Sequence, residues 1–153
     1  MRIWSTILAL SLISLALACT RNEPASPLQT FKTYTKAIKQ KDFTTMKLLL
    51  SNATMKMHQK EAQAQGVTVD DIVKRETLFG ENQKSVEYRN EKIEGDKASL
   101  QIKDSYGTWE TMLFVREDGV WKIDKAGYAN QMMKEIEDSD KKLDDIIRGG
   151  QTP

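Results

Sequence analysis

The chain has 153 residues, 39% hydrophobic and 29% charged, with 23 Lys and Arg against 22 Asp and Glu. That length fits one domain, and interleaved charges near neutrality speak against nucleic acid as a partner, because a phosphate backbone selects concentrated positive charge. One cysteine and one histidine supply too few ligands for zinc, and a lone cysteine leaves no disulfide within the chain.

The first segment pairs Arg2 with an uncharged run from Ile3 to Ala18 that ends in small residues, the pattern of a secretion signal. The run is shorter than the roughly 20 apolar residues of a bilayer-spanning helix and contains serines and a threonine. Its last residues, Leu15-Ala16-Leu17-Ala18-Cys19, resemble a bacterial lipobox, although leucine is usual where Ala16 stands. The resemblance implies that residues 1–18 are removed and that Cys19 is lipidated as the new N-terminus, the membrane being the partner that holds the chain. Thr20 after the cysteine implies, in a Gram-negative source, an outer-membrane anchor facing the periplasm. Loss of Arg2 with the signal would leave acidic and basic residues equal in number. Residues 19–27 then form a Pro-containing tether, which at ~3.3 to 3.6 Å per residue keeps the domain within roughly 30 Å of the lipid.

The domain is expected over 28–127. Ser26-Pro27-Leu28-Gln29 reads as a capping box with proline at the first helical position, and Leu28, Phe31, Thr35 and Ile38, with Tyr34 beside them, form one stripe. A second helix is predicted from Asp42, carried through Met46, Leu49, Leu50, Ala53 and Met57 by three-and-four spacing and ended by Gly66. Thr68, followed by Asp70 and Asp71, opens a third helix that Gly80 stops.

From Gln83 the period becomes alternating. Val86 and Tyr88 share one side of a first strand, Ala98, Leu100 and Ile102 one side of a second, and the segment 94–97 turns between them. The third strand, 108–117, is apolar on both sides, Trp109, Leu113 and Val115 against Met112 and Phe114, so both faces should be covered. A turn at Gly119 leads to the last strand, Val120 to Ile123. Helices followed by an antiparallel meander make an α+β domain with helices packed on a curved sheet of about four strands.

The stretch from Ser26 to Ser51, with Lys41-Asp42-Phe43, and the closing Phe114 to Ile123, with Gly119-Val120-Trp121-Lys122-Ile123, resemble small bacterial lipoproteins of the nuclear transport factor 2-like superfamily. The resemblance implies a cone with a pocket between sheet and helices, for which Tyr34, Tyr88, Trp109 and Trp121 are the lining candidates. Packing with a satisfied hydroxyl is the competing role for both tyrosines. Superfamily enzymes place Asp, His and Tyr in the cone as proton-transfer groups, and no matching catalytic residue is assigned here. His58 is the acid-base candidate, read primarily as a surface histidine beside a helix's apolar edge. Phosphate-loop, zinc-protease and nucleophile-elbow motifs are missing, the acidic run 135–145 lacks the glycine of a calcium loop, and no cofactor is implied.

The family pattern ends near Ile123, yet a further helix is predicted over about 128–148 within the segment 128–153. Ala129, Met132, Ile136, Leu143 and Ile146 make a heptad-like seam interrupted by Ser139. Two readings are open: the seam packs on the domain's own sheet, or it carries an oligomer or partner contact. The leading functional expectation is a non-enzymatic binding or interaction module of the cell envelope, its ligand a small hydrophobic molecule or an envelope protein. The alternatives are a cone-pocket isomerase or dehydratase, and a structural envelope protein working through the C-terminal helix.

Overall fold

Ser26 begins the ordered architecture as the sequence predicts: its hydroxyl accepts from the Gln29 backbone N–H while the Gln29 side chain accepts from the Ser26 backbone N–H. This capping box opens helix α1, Pro27–Gln40. In the computed structural model the described residues are 24–75 and 86–149. The signal-like run 1–18, Cys19, the stop at Gly80 and the strand start at Gln83 lie outside them.

Lys41, in the left-handed region at φ 55°, ends α1. Asp42 then caps α2, Phe43–Leu48, by accepting from the Thr45 N–H and hydroxyl. The single helix expected from Asp42 to Gly66 is two helices. Leu49 to Ser51 leave the helical path to meet the last strand: Ile123 N–H donates to Leu49 C=O at 2.8 Å and Ser51 N–H to Ile123 C=O at 2.9 Å. Leu50 forms an isolated parallel bridge with Ile123, and Ser51 caps α3, Asn52–Gln65, through the Thr54 N–H. Backbone groups that continuous periodicity assigned to a helix are thus satisfied by a strand edge. Thr68 precedes α4, Val69–Arg75, and exchanges hydrogen bonds with Asp71.

Strands β1 (Tyr88–Glu94), β2 (Lys97–Lys103), β3 (Trp109–Glu117) and β4 (Val120–Ile123) form one antiparallel sheet in chain order. The β3–β4 turn has Asp118 at φ 50° and Gly119 at φ 77°, the doubly positive geometry of a two-residue hairpin loop. Registers Leu100↔Met112, Ala98↔Phe114 and Phe114↔Ile123 put these residues on one face. Phe31, Tyr34 and Ala37 of α1 and Met46 of α2 cover that face, giving one core with Leu100, Phe114, Trp121 and Ile123. The domain is α+β, with helices on a four-stranded antiparallel sheet and a final helix, α5, Lys125–Gly149.

The opposite sheet face is only partly covered. Leu113 and Val115 are half-buried, and α5 touches β3 near its own start, so the two-sided cover expected for the third strand is incomplete.

Candidate functional site

The junction of β4, α3 and α5 is built by three short polar side chains. Asp124 Oδ1 accepts from the Ser51 hydroxyl at 3.0 Å and from the Gly127 N–H at 3.1 Å, which makes Asp124 the cap of α5. The Ser51 and Thr54 hydroxyls lie 2.8 Å apart, and Thr54 Oγ1 accepts from the Ala126 N–H at 3.2 Å. A Cβ on residue 127 would sit 2.2 Å from Asp124 Oδ2, so glycine is what lets the carboxylate close over the helix start. This cap starts α5 at Lys125, ahead of the Tyr128 that periodicity alone suggests.

Two cavities flank that junction. The larger, about 430 Å³, lies on the less covered sheet face: Leu113, Val115 and Ser99 form its floor, Gly127 and Gln131 of α5 one wall, and Lys92, Glu94 and Lys97 its rim. The smaller, about 220 Å³, runs between β3 and α5 and is lined by Ile102, Met112, Ile123, Lys125 and Tyr128. The first has the volume of a small-molecule site, with two cations and an anion on its rim, but its titratable groups form no converging acid-base pair.

None of the four pocket-lining candidates borders either cavity. Tyr34 and Trp121 are in the core, 0% and 2% exposed, and with Phe31 and Phe114 they fill the space between sheet and α1 where a cone pocket was expected. The Tyr34 hydroxyl accepts from Lys125 Nζ at 3.3 Å, and Arg116 stacks on the Trp121 ring at 4.4 Å. Tyr88, 41% exposed, lies beneath Lys32 of α1 on the edge strand β1, every residue of which is exposed. Trp109 stands on the other sheet face between the cationic ends of Arg89 and Lys103, at 3.9 and 5.6 Å.

His58 overturns its surface reading. It is 3% exposed, on the inner stripe of α3 with Thr54 and Ala62, and its Nδ1 is 3.9 Å from the Glu61 carboxylate. The four-residue spacing Thr54, His58, Ala62 was the available signal; the polar neighbours Gln59 and Lys60 masked it. His58 borders neither cavity.

The most unusual surface is α5 itself. Ala126 is its one buried residue, whereas Met132 is 42% exposed, Ile136 and Leu143 56%, and Ile146 70%. The seam therefore does not pack on the domain's own sheet. At ~1.5 Å per residue the 25-residue helix is about 37 Å long, and most of that length carries its apolar side in solvent. Among the described residues no helix is long and apolar enough to cross a membrane, and no cluster of three His, Cys, Asp or Glu side chains could hold a metal. No protein-family model, curated protein or solved structure matches the chain.

Proposed function

We propose that this chain is a lipid-anchored interaction module of the bacterial cell envelope, held at the membrane by Cys19 and making its contacts through α5. The observation that carries the reading is the apolar side of α5: Met132, Ile136, Leu143 and Ile146 are all exposed on one stripe of a helix whose only buried residue is Ala126. A solvated stripe of that length is the feature that marks contact sites on soluble surfaces. The body is read as a nuclear transport factor 2-like cone with a packed interior, Tyr34 and Trp121 serving the core, so that it acts as a mount for the helix. The lipobox-like segment before Cys19 and the short tether support a position of that mount close to the lipid surface.

The test is removal of residues 128–153. Since Ala126 is retained and the core cluster contains no α5 residue, the shortened chain should keep cooperative unfolding within about 1 kcal/mol of the full chain while losing its binding partners. Pull-down from envelope extracts and urea denaturation read the two effects separately. Unchanged partner recovery would remove α5 from the functional surface. A companion Cys19→Ser change should release the chain from membranes, and retention would remove the anchor.

A further inference from the structure

We infer that the partner α5 accepts is the α5 of a second copy of this chain, lying antiparallel, a deduction that rests on α5 being the contact element. The stripe supplies two sets of seam positions, half-buried Ala129 with exposed Ile136 and Leu143 in one and exposed Met132, Ser139 and Ile146 in the other. Paired head to tail about a twofold axis, these match in three layers, each occurring twice. Ala129 meets the second copy's Ile146, Met132 meets Leu143, and Ile136 meets Ser139. Small faces large in the outer layer, which is how close-packed seams fill space.

Charge decides the direction. In the antiparallel register Glu135 flanks the seam opposite the second copy's Lys142, and symmetry makes that attractive pair twice. In a parallel pair Glu135 falls beside the second copy's Asp140, two like-charge contacts, and Ser139 faces Ser139. Among the described residues Lys142 forms no ion pair, so it is available for this one. The polar seam residue is also accommodated, because the Ser139 hydroxyl donates to its own helix at Glu135 C=O, 2.8 Å away, and needs no partner across the seam.

A lipid surface fits the same stripe less well. Between Lys134 and Arg148 six carboxylates outnumber four cationic groups, whereas helices that lie on anionic membranes carry cationic polar faces. Under three heptads is a short contact for two chains free in solution. Two chains tethered to one membrane meet at a raised effective concentration, which compensates for the short seam.

The experiment uses the full chain in cells lysed without detergent and treated with a carbodiimide, which joins carboxylate to amine with no spacer. Glu135 and Lys142 of one helix are separated by about 10 Å along the axis, so a direct link between them reports two chains. The expected result is an adduct of twice the chain mass with Glu135 joined to Lys142, reduced at least about tenfold by Leu143→Asp, since a buried charge opposes the seam. A Leu143→Cys variant separates the directions. Residues 143 of antiparallel copies lie about 16 Å apart along the axis, too far for a disulfide, so efficient disulfide dimerisation at that position overturns the antiparallel pair. An α5 adduct only to a different protein overturns the second copy while leaving α5 as a contact element. No adduct of any kind, with Leu143→Asp also silent in partner recovery, overturns both.

Discussion

Helices α1 and α5 carry the same kind of apolar stripe and put it to opposite uses. In α1, Phe31, Tyr34 and Ala37 are buried against Leu100, Phe114 and Trp121. In α5 the stripe leaves the body after its first turn and stays in solvent. Amphipathic periodicity states that one side of a helix needs a cover; where the chain leads the helix determines whether its own fold supplies it. Here Asp124 caps α5 and accepts from Ser51, which ties the helix start to the start of α3, and from Asn130 onward every residue of the helix is exposed.

The largest expected effect breaks the comparison at α1's side. Trp121→Ala should destabilise the body by about 3 to 5 kcal/mol, the cost of emptying a packed aromatic site, while Leu143→Ala on isolated molecules should stay within ~0.5 kcal/mol. Urea denaturation at low concentration measures both. A comparable loss at Leu143 would mean that the stripe is core after all.

A smaller effect sharpens the role of the junction. Asp124→Ala removes the α5 cap and the acceptor of the Ser51 hydroxyl, for an expected loss of about 1 to 2 kcal/mol, with lower helix content at the start of α5. Amide exchange at Ala126 and Gly127 should accelerate while the β2 and β3 amides keep their protection. Equal acceleration throughout would show a general loss of stability in place of a local release.

The smallest concerns acid. Hydrogen bonds from Thr45 hold the Asp42 carboxyl below its usual range, and bonds from Thr68 do the same for Asp71. A depressed folded-state pKa means stabilisation that is complete above the ordinary carboxyl value and is lost as pH falls through the lowered one. Both groups are at the surface, so the contribution is slight. Replacing both by Asn should flatten the stability profile below about pH 4 and leave the profile above it parallel to that of the parent. An unchanged acid limb would detach these caps from the pH response.

Much of the body was legible because its signals are local. Ser26 with Gln29, Asp42 before Phe43, and the alternation of Ala98, Leu100 and Ile102 each specify a cap or a face from a few neighbouring residues. The break at Leu49 to Ser51 was not, because apolar spacing runs through it without interruption; it exists because Ile123 offers backbone partners from a strand more than 70 residues away in sequence. Ser51, Asn52 and Thr54 were the one local hint, as residues that favour helix starts. His58 departs from its sequence expectation for a similar reason, since its burial depends on what packs against α3 and not on its polar neighbours. The seam of α5 was visible in the sequence, but whether the sheet would cover it depended on where the helix leaves the body, which no local pattern states.

The most direct measurement is amide hydrogen exchange of residues 132–147 of the full chain at two protein concentrations, with the α1 amides as internal reference. The predicted result is protection in α5 that rises with concentration and collapses in Leu143→Asp, while α1 protection is the same in every sample. Protection of α5 equal to that of α1 and independent of concentration would contradict an exposed contact helix.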